Sequence, residues 1–435
     1  MRSIHRMSQP APRPAQFGPP ALRLDRWNDR AVLGVALLAL ASGFGQYGVV
    51  AALGDVARTF GQVTHGATFT DQAGLSGTEL GIGLAIIRLA SIGALPLTGL
   101  ADRFGRRRTL LVTVVIGLAA TLVAAVSPGY WWFVAVFALG RPFLSATNAL
   151  AQVMAAEQTG SKDRTRAIAL VTAGYGVGAG LTAIIHSLAS SSLGFRGLFA
   201  LAVVPLLFVP VIARWVVEPD RFAVAAAARD HPTPVLGAVG RRFRGRLAVL
   251  VALSFAVAVI TGPANTFIFL YAQNVRHVAG AVTAAMVVGA GVSGLGGLLI
   301  GRWLADRLGR RPTGAIGMVG IAVFATLAYS GGSVVLVVGY VLGVLAGGVL
   351  APAAGALVNE LFPTAVRASA SGWWLVAGVL GAVGGLVAFG AVADLGNRFS
   401  LAAPVIFLPV AVAAGLFWCV PETNGREPEE LWPGS

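Results

Sequence analysis

Twelve stretches of this chain are each apolar and long enough to cross a lipid bilayer, and nothing else in the sequence limits the fold as much. A hydrocarbon core of roughly 30 Å takes about 20 helical residues. The stretches cover 31–53, 79–100, 109–127, 130–156, 167–189, 197–217, 247–271, 279–301, 314–330, 333–357, 369–392 and 400–420. Each is continuous, whereas a membrane barrel shows segments of about ten residues with alternating polarity. The expected fold class is an all-α polytopic membrane protein with twelve transmembrane helices. Composition agrees: 56% of the 435 residues are hydrophobic and 11% charged, against about 45–50% and about 25% in soluble domains.

The net charge of +14 comes from 32 basic and 18 acidic residues, with Lys162 the one lysine. A nucleic-acid surface would gather such charge on one face. Here the arginines stand in short runs between apolar stretches, which excludes nucleic acid as a partner. Basic residues in short loops are retained in the cytoplasm. With the N-terminus placed inside, 26 basic residues fall on that side, counting Arg214 at the inner end of the sixth span, four fall outside (Arg58, Arg196, Arg276 and Arg398), and Arg88 and Arg141 lie deeper within spans. Both termini are thus expected in the cytoplasm, with the basic loops facing anionic lipid headgroups. The Ala-, Gly- and Arg-rich composition suggests a bacterial inner membrane. Residues 1–30 hold six arginines and five prolines and read as a disordered cytoplasmic tail, with no cleavable signal peptide. A single cysteine, Cys419, and five scattered histidines give no basis for a metal or a disulfide framework.

The chain also repeats itself. Leu100–Thr109 reads LADRFGRRRT and Leu304–Thr313 reads LADRLGRRPT, identical at eight of ten positions with an offset of 204. A weaker echo pairs Glu157 and Arg164 with Glu360 and Arg367. The expected organisation is two pseudosymmetric six-helix bundles, 31–217 and 247–420. A cytoplasmic linker (218–246), carrying Arg241, Arg242, Arg244 and Arg246, joins them, and a tail (421–435) follows.

This acidic-basic loop after the second and eighth spans resembles the signature of the major facilitator superfamily, and the resemblance covers about 31–430. One departure is local: the leading glycine stands three residues before Asp102 and five before Asp306, where the family usually has four. Asn359, Glu360, Leu361, Phe362, Pro363, Thr364 with Arg367, and Pro421, Glu422, Thr423, Asn424, Gly425 with Glu429 and Glu430, resemble the sugar-porter and organic-ion branches. The seventh span lacks the paired glutamines of sugar porters and the fifth has no glutamine, so sugar is weakly supported. The fifth span also lacks the glycine-proline signature of drug antiporters. The resemblance implies a secondary active or facilitated transporter, not an enzyme, working by alternating access around a central cavity. It also implies that the loop charges bridge the halves on the inside when the cavity opens outward. The gating candidates are Asp102, Arg103, Arg106, Asp306, Arg307, Arg310, Glu157, Arg164, Glu360, Arg367 and Glu422.

An arginine inside a span costs about 2.5–3.5 kcal/mol on insertion scales and is normally turned to water or a partner. Arg88 and Arg141 are two such residues. In the fourth span Arg141, Ser145, Asn148 and Gln152 follow helical spacing on one face; Arg88, Ser91 and Thr98 do so in the second. Gln46, with Tyr47 beside it, joins Ser42 in the first span, and Asn265 joins Thr261 in the seventh. The substrate-binding candidates are Arg88, Arg141, Gln46, Tyr47, Asn148, Gln152 and Asn265; the Ser and Thr residues are expected to bond across helices. No Asp or Glu lies deep in a span, the nearest being Asp55, Glu79, Glu157, Glu360 and Asp394. Two arginines without a buried acid suit a carboxylate, which accepts bidentate hydrogen bonds, unless Asp55 is their partner. The expected substrate is a small organic anion taken up by a monomer, without a cofactor; the sequence leaves proton coupling open. An efflux antiporter of the same fold and a non-transporting membrane sensor are the alternatives. His186 reads as a packed or wetted histidine, with a proton role as the alternative. Trp131, Trp132, Trp373 and Trp374 read as interfacial anchors. Gly289, Gly291 and Gly294 fit a dinucleotide fingerprint, but inside an expected helix they read as close packing.

Overall fold

The computed structural model describes residues 25–64, 68–219, 243–396 and 398–425. Most of the terminal tails and residues 220–242 of the linker, with Arg241, Arg242, Glu429 and Glu430, lie outside the described residues.

Twelve helices are long and apolar enough to span a membrane: α1 Arg30–Ala51, α2 Gly77–Phe104, α3 Arg106–Ala124, α4 Tyr130–Gln158, α5 Lys162–Ala189, α6 Ser192–Ile212, α7 Arg244–Val275, α8 Gly280–Arg307, α9 Arg310–Ser330, α10 Ser333–Glu360, α11 Ser369–Gly396 and α12 Phe399–Cys419. They coincide with the twelve apolar stretches to within a few residues. The largest shifts fall at ends where a polar residue continues the helix past the hydrocarbon. Without water, a spanning segment must satisfy its backbone internally, and the α-helix does so residue by residue.

Small residues set how the helices pack. Along α1 and α5, Gly43 faces the Tyr175 carbonyl and Gly178 the Leu40 carbonyl, so close that a side chain at either would collide. In the second half, Gly297 and Gly348 bring α8 and α10 together in the same way. Gly289, Gly291 and Gly294 lie inside α8, where Gly294 packs on Val344. In lipid there is little hydrophobic drive between helices, so such close approach is what dispersion and packing require.

The repeat is visible as geometry. Gly105 between α2 and α3, and Gly309 between α8 and α9, have φ of +95° and +102°, the side of φ that favours glycine. After each turn a carboxylate closes the new helix: Glu218 accepts from the N–H groups of Arg106 (2.6 Å) and Arg107 (3.0 Å), and Glu422 from those of Arg310 (2.8 Å) and Arg311 (3.0 Å). These are the free N–H groups of a first helical turn, where negative charge is also favoured by the dipole. Glu218 and Glu422 are again 204 residues apart, a match that the sequence carried and that reading for basic motifs passed over.

The turn residues and arginine runs define one face of the bundle, the arginine-rich face. On the opposite face the halves meet. Gly77 and Thr78, the first turn of α2, donate backbone N–H bonds of 2.7 Å each to the two carboxylate oxygens of Asp394 on α11, and the Thr78 hydroxyl adds a third at 2.6 Å. Gly81 packs on the Leu386 carbonyl and Gly390 on that of Gly77. Beyond the tight turn at Ser91–Gly93, α2 packs instead on α3 and α4 of its own half. The α7 helix opens into a wider turn over Tyr271–Val275, from which Asn274 reaches the Gly54 carbonyl (3.2 Å) and Gln273 the Ser187 hydroxyl (3.4 Å) of the first half. The two bundles are sealed on the arginine-poor face and separate from the middle of α2 onward.

Candidate functional site

Where the halves part, α1, α2, α4 and α5 bring a set of polar groups together. Arg141 is buried, 8% exposed, and its guanidinium donates through Nη1 to the Gln46 carbonyl at 3.2 Å; its Nε has no protein partner. Arg88 lies close enough for the two positive charges to act on one another, and Tyr175 on α5 lies beside both. Arg88 is exposed by surface area. Among the described residues neither arginine pairs with a carboxylate. The suggested partner, Asp55, is taken by His186 at 2.8 Å instead, because it sits beyond the bend at Ala52, past the membrane-spanning part of α1.

The polar row on α4 forms as expected, on a single helix that keeps Pro142 within it. Asn148 has a buried Oδ1 without a protein partner, and Ser145 and Gln152 are half-buried on the same face. On α2 the Ser91 hydroxyl bonds back to the Arg88 carbonyl and Thr98 to that of Leu95, and the helix tightens at Ser91–Gly93. Ser42 bonds across to the Leu144 carbonyl at 2.7 Å and accepts from the Gln46 amide at 2.9 Å.

In the second half a cavity of about 340 Å³ is lined by Thr261, Asn265, Tyr329 and Tyr340, with glycines of α8 and α10 along its wall. Asn265 spends its amide N–H on the Thr261 carbonyl (2.9 Å). The arginines and this cavity adjoin through two consecutive residues. Gln46 gives its carbonyl to Arg141, and Tyr47 meets Phe269 of the second half edge-on at 6.0 Å between ring centroids, with Phe269 in turn edge-on to Tyr340 at 6.5 Å. Tyr175, Tyr329, Tyr340 and Phe269 were not singled out from sequence. The available signal was that all six tyrosines fall inside spans, where an aromatic hydroxyl needs a partner.

The loop charges pair within their own halves. Arg106 meets Asp102 at 3.0 Å and Glu157 at 2.8 Å; Arg310 meets Asp306 at 3.1 Å, Glu360 at 3.7 Å and Asn424 at 3.0 Å. Arg367 reaches the Phe362 carbonyl at 3.4 Å. Arg103 and Arg164 are exposed, and Arg307 lies over the Trp303 ring.

Glu422 supports a pH-dependent prediction. Partial burial works against its charge, but N–H bonds from Arg311, Arg310, Asn424 and Thr423 outweigh it and hold the carboxyl below its ordinary value of 4.5. A carboxyl depressed in the folded protein adds stability above its unfolded pKa and loses it as pH falls through the folded value. Glu422→Gln should therefore lower the thermal midpoint at neutral pH. The gap from the parent should close as pH is taken below about 4, measured by unfolding in detergent.

Comparison with known proteins agrees with the geometry. The sequence profile of the Major Facilitator Superfamily matches residues 35–304 and 292–431. The cis,cis-muconate transport protein of Acinetobacter baylyi is 26% identical over 332 residues, covering 69% of this chain and 77% of that one. The gentisate transporter of Corynebacterium glutamicum is 26% identical over 324 residues, 71% of each. In fold, the inward open xylose transporter XylE from E. coli superposes with a TM-score of 0.70 at 19% identity, covering 92% of this chain and 98% of that one. A near-complete profile match, twelve spanning helices and a mirrored pair of signature loops lead to one conclusion: the chain is a membrane transporter and belongs to the major facilitator superfamily.

Proposed function

We propose that this transporter moves a small organic carboxylate, and that Arg88 and Arg141 bind the carboxylate head. The observation that carries this is a pair of neighbouring guanidinium groups inside the bundle with no acidic partner. Two such charges repel and are poorly solvated, so they gain from an anion that neutralises both. The second-half cavity, faced by Tyr340 and Asn265, takes the body of the solute. A site divided between the halves links binding to their relative movement. Similarity to carriers named for muconate and gentisate supports the anion class.

The arginine-rich face is cytoplasmic in this reading, by the distribution of basic residues. The protein is then a monomer of the bacterial inner membrane with both termini inside, its structure closed to the outside, and uptake its direction. The ion pairs of Arg106 and Arg310 hold each signature loop in this state and exchange for contacts between halves when the cytoplasmic side closes, with Arg103, Arg164, Arg307 and Arg367 available to them.

A thermal-shift panel tests the substrate class. Gentisate and cis,cis-muconate should raise the unfolding midpoint of the purified protein, and gentisamide, xylose and choline should not. A ligand at 100 times its Kd adds about 2.7 kcal/mol to stability, enough to be read directly. Stabilisation by the neutral amide as strongly as by the acid would remove the carboxylate assignment.

A further inference from the structure

Just behind the seal on the arginine-poor face lies an ionisable pair that solute binding does not use. Asp55 stands three residues past the bend at Ala52, and His186 lies in the last turn of α5. His186 Nε2 is 2.8 Å from Asp55 Oδ2. The histidine side chain is 1% exposed and the carboxylate 21%, while Nδ1 is buried and meets no partner among the described residues. The chain neighbours of both residues form the seal itself. Gly54 accepts from Asn274, Ser187 accepts from Gln273, and Gly280, at the start of α8, packs on the Ser187 carbonyl.

We propose that Asp55 and His186 form a proton-binding site whose filling opens this seal. Counting protons gives the direction. With one dissociable proton on the pair, Nε2–H donates to the Asp55 carboxylate and Nδ1 is a bare acceptor, which matches the closed geometry. A second proton taken by the imidazole changes this: Nδ1 then carries a hydrogen and has no acceptor among the described residues. A buried donor left unpaired is costly, so the closed seal disfavours the second proton. By linkage, the second proton disfavours the closed seal. Low pH on the outer face therefore shifts the population toward a parted seal, where Nδ1 reaches water. Release of that proton accompanies closure.

The other ionisable groups on the elements that meet here are Arg58 on the segment after α1, Tyr271 on the last turn of α7, Arg276 and His277 just past it, and Asp71 on the short helix Phe69–Ala73. Arg58, Arg276 and His277 are exposed, Tyr271 donates to the Tyr329 carbonyl at 3.0 Å, and Asp71 is engaged by Thr64 and Thr68. His277 is the other histidine among them, and it supplies the control.

The proposal rests on a transporter that alternates between two states and on the outer placement of this face; it does not depend on the carboxylate assignment. The test accordingly uses no solute. Spin labels at Val126→Cys and Val334→Cys, exposed positions at the arginine-poor ends of α3 and α10, report the separation of the halves in a Cys419→Ala background. In nanodiscs, the longer-distance fraction should rise about threefold or more between about pH 8 and about pH 5.5. His186→Gln and Asp55→Asn should each remove the response, and His277→Gln should keep it. A parent indifferent to pH, a response that survives in either pair variant, or its loss in His277→Gln would overturn the proposal. Each variant is first checked for a single dispersed species, and the isosteric Asp55→Asn keeps the question open to test if the histidine variant misfolds.

Discussion

Arg141→Gln should reduce carboxylate uptake by about a hundredfold or more while leaving the protein as stable as the parent or more so. A hydrogen bond to a charged group is worth about 1.5–3 kcal/mol, and a bidentate carboxylate makes two, so losing the fork removes at least one factor of this size. The stability side runs the other way. Arg141 is buried, its charge is opposed by Arg88, and its hydrogen bond to the Gln46 carbonyl leaves Nε without a partner among the described residues. A neutral glutamine relieves that desolvation and repulsion. If Arg141 were structural, the substitution would instead lower the midpoint together with uptake. Arg141→Lys separates charge from geometry: it keeps the positive charge but offers no planar fork, so uptake should recover only in part. Initial rates in proteoliposomes and midpoints from thermal unfolding read the two effects. Full uptake by folded Arg141→Gln protein would remove this residue from the site.

How much of this could be read from the sequence depended on the range of the interaction concerned. The spans were legible because a helix in lipid must satisfy its own backbone and present apolar side chains on every side, a local rule that shows as a continuous run. The two arginines were legible because their cost is so high that few explanations remain. What could not be read was pairing across helices. Asp55 and His186 are 131 residues apart, and neither sits in a pattern; the bend at Ala52 that carries the carboxylate away from the arginines has no proline to announce it. Tyr47 and Phe269 meet through the packing of the halves, which depends on where glycines permit contact. Glu218 is the opposite case, readable by applying the offset of 204 to Glu422.

The second large effect concerns the seal rather than the site. Gly390→Leu should nearly abolish transport in a protein that still folds, because it forbids one of the two states and not the bundle itself. The α-carbon of Gly390 lies against the Gly77 carbonyl so closely that a β-carbon there would overlap it, and Gly81 stands in the same relation to Leu386. Both obstacles are backbone carbonyls, Gly77 in the first turn of α2 and Leu386 on α11, and Asp394 ties the two helices together there, so a side chain cannot be accommodated by a change of rotamer. Overpacking a rigid contact costs about 1–3 kcal/mol or more. Within one bundle that cost would fall on folding; at a seam between two bundles the molecule can avoid it by parting. A cost of about 3 kcal/mol moves the ratio of sealed to parted molecules by more than about a hundredfold. The Val126 and Val334 labels should then report the longer distance at every pH, whether or not His186 is protonated. Ordinary transport rates in Gly390→Leu, or labels that stay at the short distance, would mean that the contact between α2 and α11 does not govern access.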